Sequence, residues 1–433
     1  MKAFLIAAPM TGSGKTTNTL GLLSILRSRG LNVSAFKVGP DFIDPGLHEL
    51  ATGTPSHNLD GWMLSRSTNE RLFADATSDA DVAIVEGVMG LFDGFNGSSN
   101  AGSTAEMAQW LDLPILLVID ANPLARSVAA IIHGMTTFDP SLKFAGVIFN
   151  RVGGEGHFRI LADSVHGLPI LGWLPVNPEI EIRERHLGLL TGHEAEAQVR
   201  IQRIQDFVSS HIDVDRLLTL IPETGRTPTA KQPSLRPKFK IALASDPAFS
   251  FYYHANRTAL ERAGGEIVEF SPIRDPELPN ADFLYIGGGY PELYRKQLEA
   301  NVSMRRSVRD YVHSGKRFYA ECGGLMYLSR RIEDSEMVGI LPTEIEMTNG
   351  PVDFGYCEVS TLKPSIFGSA GTTLRGHQFH HSRATRSSDD PIYAVRQGVR
   401  EYREGFVLKN GIASYIHLHF LSNPGAIASV LQS

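Results

Sequence analysis

"APMTGSGKTT", residues 8–17, decides how the first half of this 433-residue chain is read. An apolar run, "AFLIAAP" (residues 3–9), precedes it. A helically spaced segment, "TTNTLGLLSILRSRG", follows and ends at Gly30. Strand, glycine-rich turn and helix in that order form a phosphate-binding loop. Gly12 and Gly14 let backbone N–H groups point into one concavity at the helix N-terminus. Lys15 supplies a point charge for β- and γ-phosphates, and Thr16 offers a hydroxyl to Mg²⁺. Gly14, Lys15 and Thr16 complete the pattern G-x-x-x-x-G-K-[ST], with Pro9 standing where the first glycine belongs. The plainer alternative is a glycine-rich turn with a solvated lysine. The position between a strand and a helix favours phosphate.

Outward from the loop, "VSAFKVG", "VAIVEGV", "PILLVID" and "FAGVIFN", with a weaker "PILGWLP", are apolar runs of strand length separated by helical segments. Such runs are buried on both faces and predict a mostly parallel sheet with flanking helices. Ligands of open parallel sheets gather at the carboxyl ends of the strands. Asp41 and Asp44 in "KVGPDFIDPG" (37–46), and Glu86 and Asp93 in "VEGVMGLFDG" (85–94), are therefore expected on the loop's side of the sheet. Carboxylates there suit Mg²⁺, a hard cation that arrives with ATP. For each Asp the bland reading is a turn or helix cap. Glu86, closing an apolar strand before a glycine, reads as functional. Asn150 in "GVIFNRVG" ends a later strand with an amide that can pair with an adenine edge.

Hydrophobic residues make up 42% of the chain and charged ones 20%, the profile of a globular protein. The net charge of −6 argues against nucleic acid as a partner. Two cysteines cannot form a disulfide framework, so a reducing cytoplasm is expected. "MKAFLIAAPM" reads as a buried strand and not a leader, and no apolar run approaches the ~20 residues that span a bilayer. No membrane association is expected.

The polar segment from Glu179 to Leu220 reads as helical. "PETGRTPTAKQPSLRPK" (222–238), with four prolines and no aromatic residue, reads as a linker. The expected division is 1–222, a linker at 223–238, and 239–433. A second alternating α/β pattern begins with "KIALAS". Within it, "YAECGGLMYL" (319–328) sets Cys322 at a strand-to-helix turn. A nucleophile at such a turn is expected to be exposed, with the Gly323 N–H at the helix start beside it. A second oxyanion donor comes from the glycines of "YIGGGYPELY", taken as Gly289. The bland reading of a lone cysteine is a small buried hydrophobe, and Cys357 is read that way. A base must take the thiol proton. The candidates are His377, His380 and His381 in "GHQFHHS" and His417 and His419 in "SYIHLHF". The last two lie on one strand face, one as base and the other as neighbour. Zinc is disfavoured because no second cysteine or regular ligand spacing joins the histidines.

These stretches, with "NLDGWML", "RHLGL" and "DPAFSFYY", resemble in order the cobyrinic acid a,c-diamide synthase family. The first half is similar to dethiobiotin-synthetase-like ATPases and the second to triad-type glutamine amidotransferases. The resemblance implies an ATP- and glutamine-dependent ligase of cobalamin biosynthesis. It would amidate the a and c carboxylates of cobyrinic or hydrogenobyrinic acid through an acyl phosphate. It further implies Gly12, Ser13, Gly14, Lys15, Thr16, Thr17 and Asn150 around ATP, and Asp41, Asp44 and Asp93 around the synthetase substrate. Thr16, Asp44 and Glu86 would hold Mg²⁺, Cys322 and His417 would form the glutaminase pair, and Gly289 and Gly323 the oxyanion hole. A His-x-Glu acid is missing after His417, so the third member of the triad stays open, with Glu404 one candidate. Two alternatives stay open: a,c-diamidation of nickel-sirohydrochlorin, and a nucleotide switch carrying a degenerate amidotransferase domain. The assembly, a homodimer or otherwise, is left open too.

Overall fold

The computed structural model describes residues 1–122, 124–180, 194–225 and 238–431. The "RHLGL" stretch and most of the expected linker lie outside them. The chain divides into two compact units, Met1–Ala230 and Lys231–Ser433.

The first unit is built on β1 (Lys2–Ala7), β2 (Val33–Val38), β3 (His57–Leu59), β4 (Val82–Glu86), β5 (Ile115–Asp120), β6 (Phe144–Val152) and β7 (Ile170–Pro175). They form one seven-stranded sheet in the order β3-β2-β4-β1-β5-β6-β7. Every pairing is parallel. The six apolar runs read from the sequence all lie in this sheet. The short β3 has no such run and was not anticipated. The longer strands are mainly apolar because helices cover both faces. Phe4, Ile6, Ile84, Leu116 and Val118 pack under the helix Lys15–Ser28, whose Leu22, Leu23 and Leu26 are fully buried. The register aligns Ile6 with Glu86 and Lys37 with Glu86. It thereby brings the ends of β1, β2 and β4 to one level beside the phosphate loop. Helices Glu194–Ser209 and Val214–Leu220 fall in the segment read as helical.

The second unit has a central sheet containing β8 (Phe239–Ala244), β9 (Gly265–Phe270), β10 (Phe283–Ile286) and β11 (Arg317–Glu321). These run parallel to one another and to the strand Gly411–Ser414. An antiparallel edge strand, Phe406–Leu408, completes six. A mixed four-stranded sheet and an antiparallel five-stranded sheet are added to this core. The larger one includes Asp353–Thr361, Thr373–His380 and His417–His419. It pairs His377 with His417. Among the described residues no helix is long and apolar enough to cross a membrane.

Candidate active sites

In the first unit the loop between β1 and the helix Lys15–Ser28 turns through Gly14, whose φ is +98°. A Cβ there would lie 2.0 Å from Asn150 Nδ2, so only glycine fits. Asn150 donates to the Ser13 carbonyl at 2.9 Å, and Arg151 donates to the Gly12 carbonyl at 2.9 Å. The amide expected at an adenine edge thus spends one N–H on holding the loop. Ser13 is buried and bonds back to Met10 O at 3.0 Å. Gly12 lies at φ +79°, and Thr17 sits in the first helical turn.

Lys15 donates to Met89 O at 2.6 Å and Met10 O at 3.3 Å. Burial, together with the nearby charge of Lys37, lowers its pKa to about 8. Thr16 donates to Glu86 Oε1 at 2.7 Å and lies 3.4 Å from Asp44 Oδ2. The three residues expected to hold Mg²⁺ therefore do converge.

A fourth residue stands among them. Lys37, on β2, is buried. It bonds Asp44, Glu86 Oε1 at 2.9 Å and Gly87 O at 3.3 Å, and lies 3.9 Å from Asp41. Burial alone would lower its pKa, yet Asp44 and Glu86 raise it well above the ordinary lysine value. Burial and the neighbouring Glu86 raise Asp44, while Lys37 and His48 overcome burial and hold Glu86 low. His48 meets Glu86 Oε2 at 2.8 Å and is fixed by Ser56 at 3.0 Å. The oxygen donors fit a hard cation. Among the described residues, however, no group of three or more His, Cys, Asp or Glu is placed to bind a metal.

Asp41 and Asp93 behave as turn residues. Asp41 accepts from the N–H groups of Ile43 and Asp44 at 2.7 and 3.1 Å, opening the helix Ile43–Thr52. Asp93 accepts from Gly90 N at 2.9 Å and is exposed.

In the second unit Cys322 sits between β11 and the helix Gly323–Leu328, with φ +48° and ψ −102°. A non-glycine residue in that region is strained, as expected of a nucleophile elbow. Contrary to the expected exposure, Cys322 is only 6% exposed. The elbow packs on the hydrophobic core beside Ala320 and Leu325. Cys322 N bonds Ser414 O at 2.8 Å, tying the elbow to the neighbouring strand.

The glycine run after β10 closes over the elbow. Phe251 and Gly288 exchange backbone hydrogen bonds at 3.1 and 3.3 Å, and Gly287 N bonds the Tyr252 hydroxyl at 2.8 Å. A Cβ on Gly323 would lie 3.1 Å from Gly289 N, so the two proposed oxyanion donors come from touching segments. A Cβ on Gly288 would lie 2.3 Å from His417 Cε1.

Of the five candidate histidines, His417 meets Cys322. Burial alone would lower its pKa, but Cys322 and Glu321 outweigh burial and raise it to about 10. Its Nδ1 lies 3.8 Å from Glu321 Oε1. His377 stacks on it with ring centroids 5.1 Å apart, and burial holds His377 neutral. His419 is fully buried against Tyr253, and burial lowers its pKa to about 3. His380 stacks on Tyr415 and bonds Ser382 O at 2.7 Å, and burial lowers its pKa as well. His381 packs on the exposed Phe379.

Glu404, the candidate acid, accepts from Ser414 Oγ at 2.7 Å and Tyr415 N at 2.8 Å. Burial raises its pKa to about 7. Its hydrogen bonds go to Ser414 and Tyr415, and the carboxylate beside His417 is Glu321. Cys357 is buried in the other sheet, where burial pushes its thiol up to about 12.

Comparison with known proteins matches each half of the chain to a family. Residues 4–189 match the family described as the CobQ/CobB/MinD/ParA nucleotide binding domain. Residues 240–425 match the CobB/CobQ-like glutamine amidotransferase domain. A relative named cobyrinate a,c-diamide synthase from Syntrophotalea carbinolica is 44% identical, over 98% of this chain and 96% of its own. One of the same name from Listeria innocua is 40% identical over 99% and 98%. Another, from Salmonella typhimurium, is 40% identical over 98% and 96%.

Proposed function

The chain belongs to the cobyrinate a,c-diamide synthase family, and from that premise we propose how its residues divide the work. It is a carbon–nitrogen ligase that carries out glutamine-dependent amidation in cobalamin biosynthesis and uses ATP. The substrate carboxylates are the a and c side chains of cobyrinic or hydrogenobyrinic acid. Two centres in one chain carry this reading: the loop with Lys15, Thr16 and Glu86, and the Cys322–His417 pair.

A carboxylate is a poor acyl donor, because oxide is a poor leaving group. Transfer of the ATP γ-phosphoryl to a carboxylate oxygen breaks the bridging P–O bond and leaves an acyl phosphate and ADP. Ammonia then attacks the carbonyl carbon, and phosphate departs. Phosphoryl transfer needs position and charge more than covalent help. Gly12, Ser13, Gly14 and Thr17 present backbone N–H groups to the phosphates, and Lys15 exchanges its carbonyl partners for phosphate oxygens. When bound, Mg²⁺ supplies further positive charge, held by Thr16, Asp44 and Glu86. Lys37 helps to keep Glu86 ionised and holds both carboxylates in place. Asp41 shapes the turn beside them, Asp93 lies toward the substrate, and Asn150 braces the loop under the base.

In the second unit the Cys322 thiolate attacks the glutamine amide carbon. Gly323 and Gly289 donate to the oxyanion. His417 holds the thiol proton and passes it to the departing ammonia, and water then releases glutamate from the thioester. Two free cysteines support the reading of a reducing cytoplasm.

The test is a substrate panel. Purified protein, Mg-ATP and glutamine are incubated separately with cobyrinic acid, hydrogenobyrinic acid and nickel-sirohydrochlorin. Two successive carboxylate-to-carboxamide mass shifts on either of the first two support the reading. Conversion of the nickel ring alone would refute it.

A further inference from the structure

We propose that Glu321, the residue directly before the nucleophile, is the acid that orients and charges His417. This rests on the glutaminase reading of Cys322 and His417. β10 and β11 run parallel with Tyr285 opposite Tyr319, and Glu321 lies two residues past Tyr319. All three therefore share one face of the sheet. The Tyr285 hydroxyl donates to Glu321 Oε1 at 2.8 Å and the Tyr319 hydroxyl to Oε2 at 3.0 Å. Leu418 N donates to Oε2 at 3.3 Å, which ties the carboxylate to the strand that carries the base. Glu321 is 1% exposed, so this carboxylate cannot turn to solvent. A buried carboxylate held by three donors is costly unless its remaining capacity meets a cation.

That cation is His417, whose Nδ1 is 3.8 Å from Oε1. The distance exceeds a hydrogen bond, and catalytic contacts of this kind tighten when substrate binds. The titratable groups around His417 are few. Cys322 and Glu321 are the charge-bearing ones; His377, His380 and His419 are kept neutral by burial. Tyr285 and Tyr319 face the carboxylate, and burial holds both protonated as donors. With Glu321 on Nδ1, the Nε2 atom is left to take the Cys322 proton. The strained elbow lets consecutive residues serve both ends of one imidazole. A downstream His-x-Glu acid is then unnecessary.

Glu321 is a positioning residue, and its test reads charge and not only rate. Glu321→Gln removes the charge and keeps one acceptor oxygen for Tyr319 and Leu418 N, while its NH2 can donate to the Tyr285 hydroxyl oxygen. It should lower glutaminase kcat/KM by about 10²-fold or more. It should also move the pH midpoint of Cys322 alkylation by iodoacetamide upward by at least about one unit. Glu321→Asp should recover most of the alkylation profile. A purely structural Glu321 would lower activity and leave that midpoint in place, which overturns the proposal. A measurement on the wild-type chain covers the case in which the variants do not fold. With Cys322 alkylated, the His417 ring, followed by ¹⁵N-histidine NMR, should still titrate well above the ordinary value of about 6.5. A ring that titrates at or below that value overturns the assignment. Glutamine left unhydrolysed by the wild-type chain would instead fault the glutaminase reading beneath it.

Discussion

Lys37 Nζ lies 2.9 Å from Glu86 Oε1 inside the nucleotide-binding unit, with both side chains shut off from solvent. Asp44 completes the cluster from the first turn of the next helix. Two buried carboxylates then share one buried ammonium, and His48 supports Glu86 from the far side. Removing the ammonium leaves buried negative charge uncompensated, a change that costs about 3–5 kcal/mol. Lys37→Met should therefore lower the melting temperature of the first unit by several degrees and abolish amidation. Adding Glu86→Gln should recover part of the stability and none of the activity. Calorimetry on the two variants checks this, and an unchanged melting temperature in Lys37→Met would refute a stabilising pair.

Lys15→Ala should lose amidation with either glutamine or ammonium salt as nitrogen source, because both routes need the acyl phosphate. Glutamine hydrolysis, which belongs to the other unit, should persist. Product measured by mass spectrometry, beside glutamate release, separates the two activities. Amidation within tenfold of the wild type would sink the role given to this lysine.

Gly288→Ala adds a Cβ 2.3 Å from His417 Cε1 and 3.2 Å from Phe251 Cβ. The base must shift, though no reacting group has changed. Misplacement by about 1 Å costs on the order of 10²-fold. Glutaminase activity should fall by that factor, and ammonia-dependent amidation should stay at the wild-type level. Unimpaired glutaminase would show that the glycine run does not set the position of His417.

His419 titrates near 6.5 when unfolded and at about 3 when folded, because burial disfavours its cation. A depressed folded value contributes stability above pH 6.5 that is lost as pH falls toward 3. His419→Phe preserves a ring beside Tyr253, whose centroid is 4.6 Å away. Its melting temperature should fall less between pH 7 and pH 5 than that of the wild type. Parallel curves for the two proteins would remove His419 from the acid response.

Much of this was legible in residue order. The phosphate loop, the elbow at Cys322 and the apolar strands announce themselves because each local pattern has one cheap structural solution. Lys37 was not legible: a lysine in a strand reads as a solvated side chain until β4 is known to lie beside it and offer Glu86. Glu321 was visible as an acid before a cysteine. Strand alternation alone would turn consecutive residues to opposite faces, and only the φ of +48° at Cys322 brings both toward His417. Exposure of the thiol was expected from the turn and was wrong, because the turn is packed on the core and roofed by residues some 30 positions earlier. Asp41 shows the opposite lesson, since its two backbone hydrogen bonds are those of an ordinary helix-opening turn.

The division of labour between the two centres is tested most directly by Cys322→Ala assayed with two nitrogen sources. The variant cannot form the thioester, so glutamine-dependent amidation should fall to background. Ammonium salt at high pH supplies free NH₃ and should restore the diamide to the wild-type ammonia-dependent rate, because the acyl phosphate forms without the thiol. Amidation from glutamine by this variant would contradict Cys322 as the nucleophile. Failure with ammonia, in a variant that still melts like the wild type, would contradict the separation of ammonia release from amide formation.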